Sequence, residues 1–144
     1  GLVDQLPVKP VKTPKPVRRA IAFVAVNDQG EIFLHRRPDQ GLLGGMLAFP
    51  EIGLASKQVD QNLDQTMAPF AADWVLHDEP VLHVFTHFAL EMKICLASIE
   101  GTPQPIAGDI KGHWAKPRPA DLPSLMRKIW KAAAAMLLPL HASR

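Results

Sequence analysis

Residues 20–28 constrain the fold most, because they form a nearly unbroken apolar run that is rich in branched and aromatic side chains. Such a run predicts a buried strand. The turn sequence Asp28-Gln29-Gly30 follows, and residues 31–38 have the composition of a second strand. Two strands joined by so short a turn predict a hairpin. We therefore expect the chain to be built around a β-sheet.

The rest of the chain adds strands and helices to this hairpin. Apolar residues three or four positions apart predict one helix over 57–73, and a second helix is expected to follow the cap residue Ser124 and to end at Pro139. FTH, residues 85–87, is expected to form a tight loop before the longest strand. Further strands are predicted over 46–50, 74–84 (one or two, with a turn at 77–80), 88–99 and 110–114. The predicted class is α/β (α+β), with a mixed, mostly antiparallel sheet and two main helices.

Composition limits the kinds of site that the chain can hold. The 144 residues suit one domain, and 47% of them are hydrophobic, which is enough for a core. The single cysteine, Cys95, excludes an internal disulfide and any zinc or iron–sulfur site built from thiolates, and its apolar neighbours predict that it is buried. No apolar run reaches the roughly 18 residues of a membrane span. We expect a cytoplasmic protein.

The N-terminal segment differs from the rest. Residues 1–17 alternate prolines with lysines, which predicts a basic, extended linker, and residues 18–144 are expected to fold. For the basic cluster in residues 9–19, which contain no acid, two interpretations remain open, phosphate contacts and a solvated linker. The cations are Lys9, Lys12, Lys15, Arg18 and Arg19.

Three patterns occur in a characteristic order: RRPDQGLLGGMLAFPE (36–51), LHVFTHFALEMKICLA (82–97) and LPSLMRKIW (122–130). Together with the basic leader they resemble the C-terminal region of MutY-type adenine DNA glycosylases. The resemblance implies a Nudix-like α/β/α sandwich and a larger parent enzyme. That parent's helical catalytic domain would precede residue 1 and carry a 4Fe-4S cluster. No cofactor or metal is expected within residues 1–144, nor is glycosidic chemistry.

The resemblance also implies partners and a recognition site. One partner would be double-stranded DNA that contains 8-oxoguanine opposite adenine, and the other would be the parent's catalytic domain. The protein would be a monomer associated with a bacterial nucleoid. The family motif Phe-Ser-His, whose serine contacts 8-oxoguanine, corresponds to Phe85, Thr86 and His87. Thr86 keeps the hydroxyl of the family serine, which can both donate and accept a hydrogen bond. The alternative role of Thr86 is to provide a hydrogen bond within a turn. Phe85 would stack near the base or belong to the core, and His83 and His87 would bind phosphate or support the loop.

Further cations are candidates for contacts with the DNA backbone. Ser124, Arg127 and Lys128 are assigned to a solvated helix face in preference to phosphate contacts. The glycine-rich residues 41–45 would either bind a phosphate through backbone N–H groups or form a turn before a strand. Both interpretations remain open. The predicted backbone contacts are Lys12, Lys15, Arg18, Arg19, Arg36 and Arg37.

The main rival function is a Nudix hydrolase, which needs a divalent cation held by the acids of a G-x5-E-x7-R-E-U-x-E-E-x-G-U box. The register that starts at Gly45 matches Glu51, but Val59 replaces the arginine, Asp60 and Asp64 replace two of the acids, and Leu63 replaces the third. No register restores a site for a hard cation, so hydrolysis of oxidised nucleoside triphosphates is not expected. A protein-interaction module is a third hypothesis.

Overall fold

The computed structural model describes residues 15–38, 41–54, 63–100, 112–116 and 118–142, with the side chains of the last helix described to Met136. These residues form a sheet, two single 3-10 turns and one α-helix. The strands are β1 (Val17–Asn27), β2 (Ile32–Arg36), β3 (Leu47–Ala48), β4 (Glu51–Ile52), β5 (Val75–Val84), β6 (Ala89–Ile99) and β7 (His113–Ala115), and the helix is α1 (Ser124–Ala142).

The sheet is mixed, as predicted. Its strand order is β3-β2-β1-β6-β5, with β4 also paired to β1 and β7 to β2. The central strands β1 and β6 run parallel, in a register that joins Val17 to Ala89 and Asn27 to Ile99. The other pairs are antiparallel, including the predicted hairpin of β1 and β2, where Val26 lies opposite Ile32.

Both faces of the central strands are covered, which explains why their sequences are apolar almost throughout. Side chains alternate between the faces of a strand. On one face, Ala22 and Met92 belong to a core that α1 closes with Leu125, Met126, Ile129 and Ala133. On the other face, Ile21, Phe23 and Cys95 are covered by Leu63 and Ala68, with Trp74 packed against them. The α/β class is therefore confirmed.

The predicted helix over 57–73 is wrong for residues 63–73, and residues 57–62 lie outside the described residues. Residues 63–73 contain a single 3-10 turn, Gln65–Met67, and the backbone is extended again at Ala68. The carboxylate of Asp64 accepts the Thr66 N–H at 2.9 Å. This bond satisfies the start of a turn without requiring a continuing helix. Phe70 then packs edge-on against Phe33, with ring centroids 5.6 Å apart.

Three smaller predictions also need correction. The first bond of α1 runs from the Arg127 N–H to the Pro123 carbonyl at 3.0 Å, so Ser124 is the first helical residue and not the residue before it. The helix continues past Pro139 to Ala142, although proline removes one backbone donor from a helix interior. The predicted turn at 77–80 is an irregularity within the single strand β5.

Among the described residues, no helix combines the length and the apolar character that a membrane span requires.

Candidate nucleic-acid interface

The predicted recognition loop is a tight turn between β5 and β6. The Phe85 N–H donates to the Phe88 carbonyl at 2.8 Å, and this bond between backbone atoms closes the turn. Thr86 and His87 lie at its tip, and both are exposed. The Thr86 hydroxyl is therefore not needed to close the turn and is accessible to a ligand.

A row of aromatic side chains anchors this loop. The Phe85 and Phe88 rings stack with centroids 4.8 Å apart, and the His83 ring meets Phe85 edge-on at 4.7 Å. The Arg18 guanidinium lies 3.8 Å from the centre of the Phe88 ring, in a cation–π contact. Phe85 is half-buried and packs against the main core. The sequence left two roles open for Phe85, and the structure favours the packing role.

His83 has the properties of a neutral group. Its Nδ1 is buried and has no hydrogen-bond partner within the described part of the chain. Burial, and secondarily the nearby Lys128 ammonium, lower the pKa of His83 below its ordinary value of 6.5. The imidazole is therefore uncharged at neutral pH, which disfavours the charged phosphate contact among its predicted roles.

Two lysines contact the loop or the end of the strand that leads into it. The Lys15 ammonium donates to the Phe85 carbonyl at 2.9 Å, and the Lys128 ammonium donates to the Leu82 carbonyl at 3.3 Å. Lys15 and Arg18 were predicted from the basic leader. Lys128 was assigned to a solvated face, because helical spacing tells which side chains point outward but not which loop lies beside them.

The other predicted cations that the structure describes have contacts elsewhere. Arg37 is 7% exposed, forms an ion pair with Glu51 and donates through Nε to the Leu42 carbonyl at 2.9 Å. It therefore has an internal role in place of the predicted DNA contact. Arg19 lies 3.7 Å from Glu91 on the other face of the sheet, and the exposed Arg36 donates to the Gly45 carbonyl at 2.7 Å. Lys12 lies outside the described residues.

The glycine-rich segment 41–45 folds back on itself. The Gly45 N–H donates to the Pro38 carbonyl at 2.9 Å, and the Gly44 N–H donates to the Gly41 carbonyl at 3.1 Å. Gly41 and Gly45 have φ values of +91° and +73°, which favour glycine. Because these two amides are already bonded, the structure favours the turn over a phosphate cradle.

Glu51 and Asp64, two acids of the tested register that the structure describes, are held by internal contacts. The Glu51 carboxylate is neutralised by Arg37 and accepts the Leu54 N–H at 3.0 Å. Asp64 caps the 3-10 turn, where bonds from the Thr66 hydroxyl and N–H lower its pKa. Within the described ranges, no three potential metal ligands cluster.

Cys95 is buried, as predicted, and burial raises the pKa of its thiol to about 11.

Comparison with known proteins agrees with this architecture. The family model of the NUDIX domain matches residues 21–132. Adenine DNA glycosylase from Rattus norvegicus is 29% identical over 110 residues, which are 69% of this chain and 21% of that protein. The enzyme from Homo sapiens is 30% identical over 98 residues, which are 60% of this chain and 18% of that protein. The chain thus spans about a fifth of the length of these relatives.

Two solved structures share the fold. The C-terminal domain of mouse MUTYH, solved in complex with human PCNA, superposes with a TM-score of 0.57 at 17% identity, over 83% of this chain and 88% of that domain. A MutT protein from Methanosarcina mazei superposes with a TM-score of 0.55 at 14% identity, over 84% and 95% of the two chains. The predicted resemblance to the C-terminal region of MutY-type adenine glycosylases is confirmed, and the chain belongs to the NUDIX domain family.

Proposed function

We propose that this chain is the lesion-recognition domain of an adenine DNA glycosylase, contacting 8-oxoguanine opposite adenine in base excision repair. One observation carries the proposal. Thr86 is exposed on a turn that an aromatic row anchors, and Lys15, Arg18 and Lys128 contact residues within 82–88. The matches to the rat and human glycosylases support it, because they cover most of the chain.

The chemistry of the base explains why a hydroxyl suits this position. Guanine presents N7 as an acceptor in the major groove. In 8-oxoguanine N7 carries a hydrogen and C8 carries a carbonyl, so a donor stands beside an acceptor. The Thr86 hydroxyl donates to O8 and accepts from N7–H, since one hydroxyl does both. An undamaged guanine leaves a group unpaired, at a cost of about 1–3 kcal/mol.

The proposed division of labour leaves hydrolysis of the glycosidic bond to a separate catalytic domain of the parent. Flipping adenine out of the duplex is the task of that domain, which would also carry the 4Fe-4S cluster. The present domain holds the opposite 8-oxoguanine and raises specificity for the mispair. The lengths of the rat and human relatives leave room for such a domain.

The rival hydrolase is tested with 8-oxo-dGTP and Mg²⁺ or Mn²⁺. We expect no release of phosphate or pyrophosphate, because Glu51 is held by Arg37 and cannot serve a cation without leaving a buried arginine unpaired. We also expect no alkali-labile strand breaks when the chain is incubated with an A:8-oxoguanine duplex. Metal-dependent turnover of the nucleotide would replace the proposed function with pyrophosphohydrolysis.

The decisive experiment compares binding to A:8-oxoguanine and A:G duplexes at one salt concentration. Thr86→Val keeps the shape of the side chain and removes the hydroxyl, so the preference for the lesion should fall by roughly tenfold to a hundredfold. Thr86→Ser should keep most of the preference. Thr66→Val is a control, because Thr66 is exposed beside Asp64 and away from the loop. An unchanged preference in Thr86→Val would show that Thr86 does not recognise the lesion.

A further inference from the structure

The lysines and arginines of the described residues include some that form ion pairs and others that do not. Three arginines have carboxylate partners: Arg19 with Glu91, Arg37 with Glu51, and Arg118 with Asp121. Lys15, Arg18 and Lys128 form no ion pair within the described part of the chain, and their recorded contacts are with backbone carbonyls and an aromatic ring. Charge that the protein does not neutralise attracts anions from solution.

Arg18 and Lys128 also lie on one side of the sheet. Arg18 pairs with Leu90, whose side chain belongs to the core that α1 covers, so Arg18 faces α1. His83 pairs with the same residue from β5 and faces the same way. Lys128 reaches this side from the helix. Arg18 from β1 therefore contacts Phe88, just after the loop that carries Thr86, and Lys128 from α1 contacts Leu82, in the strand just before it.

No acidic side chain interrupts this surface along residues 81–90, because that segment contains none. The nearest acid along the chain, Glu91, faces away from α1 and pairs with Arg19. A polyanion that crosses residues 81–90 would meet Lys128 beside Leu82 and Arg18 beside Phe88, and no acid of that segment. DNA backbone is such a ligand, because each phosphate carries one negative charge.

We propose that Lys128 contacts a phosphate of the DNA strand whose base Thr86 recognises, from the α1 side of the loop, while Lys15 and Arg18 contact that strand from the β1 side. This assignment rests on the proposed function. It moves the phosphate contact predicted for His83 to a residue that sequence analysis assigned to solvent. Lys128 does not discriminate between bases, because phosphate contacts carry no sequence information.

The experiment measures affinity of the chain for A:8-oxoguanine and A:G duplexes between 50 and 200 mM salt. Lys128→Gln should lower affinity for both duplexes by the same factor and reduce the slope of log K against log salt by about 0.9, the value for one lost phosphate contact. The lesion preference should not change. Lys128→Arg should restore the slope, since it restores the charge.

Lys131→Gln is the matched control. Lys131 is exposed on the same helix and lines an apolar groove with Trp130 and Pro119, and no contact joins it to the loop. It should leave the slope unchanged. Thermal midpoints of all variants report whether the contact of Lys128 with the Leu82 carbonyl is needed for folding.

The outcomes separate the two proposals. An unchanged slope in Lys128→Gln, or an equal decrease in Lys131→Gln, would overturn the phosphate contact. A lower slope in Lys128→Gln together with an unchanged preference in Thr86→Val would uphold the phosphate contact and remove lesion recognition. A wild-type chain that binds neither duplex with a measurable salt slope would overturn both.

Discussion

The ion pair between Arg37 and Glu51 offers the sharpest test of how this fold is stabilised. Their side chains are only 7% and 10% exposed. Glu51→Gln preserves the shape and an oxygen for the Leu54 N–H, but removes the charge that neutralises Arg37. A buried guanidinium without a partner costs about 3–5 kcal/mol, which is a large fraction of the roughly 5–15 kcal/mol that stabilises a typical domain.

The exposed ion pair of Arg118 and Asp121 is the control. Its side chains are 80% and 42% exposed, at an N···O distance of 2.9 Å. Solvent screens such a pair, so Asp121→Asn should change the free energy of unfolding by at most about 1 kcal/mol. The assay is urea unfolding at pH 7, followed by tryptophan fluorescence, with m values compared to ensure that only stability has changed.

A double variant completes the test. Arg37→Met with Glu51→Leu removes both charges and keeps apolar volume, so it should recover much of the stability that Glu51→Gln loses. It should also bind DNA as the wild type does, because Arg37 has an internal role. Equal losses in Glu51→Gln and Asp121→Asn would refute the reasoning, and a DNA-binding defect in the stable double variant would return Arg37 to the interface.

Three further predictions concern backbone, thiol and pH. Gly53→Ala should destabilise the chain by roughly 1–3 kcal/mol, because φ is +101° and a Cβ would lie 2.6 Å from the Arg19 carbonyl oxygen. Gly41→Ala is the control, because Gly41 has φ +91° but open space around it, so this variant measures only the cost of a positive φ. Equal urea midpoints for the two variants would contradict the clash at Gly53. Cys95 should react with a thiol reagent only on unfolding, since burial raises its pKa to about 11; rapid labelling in native buffer would contradict this. Burial lowers the pKa of both His35 and His83, so their neutral forms stabilise the fold above about pH 6.5, and this stability should be lost as the pH falls through their lowered pKa values. Urea midpoints at pH 7.5 and 5.0 should show a drop that His83→Gln reduces, and an identical drop in that variant would exclude His83 as a contributor.

Local patterns predicted much of this fold. The apolar run that became β1 and the turn at Gly30 predicted the hairpin, because both depend on neighbours in sequence. The exposed loop at Thr86 was located from its motif for the same reason. Residues 63–73 behaved differently: their spacing suits a helix, but Asp64 satisfies a 3-10 turn and Phe70 packs on Phe33, and such tertiary contacts outweigh spacing.

What only the tertiary structure decided is which of several similar residues has which neighbour. Arg36 and Arg37 are adjacent and equally charged, yet one is exposed and the other is buried against Glu51, because side chains alternate between strand faces and only one face meets that acid. Arg127 and Lys128 are likewise adjacent on α1, but Lys128 alone contacts the Leu82 carbonyl. Charge and periodicity are local properties and can be read from the sequence. The pairing of a side chain with a residue tens of positions away depends on how the sheet and helix pack.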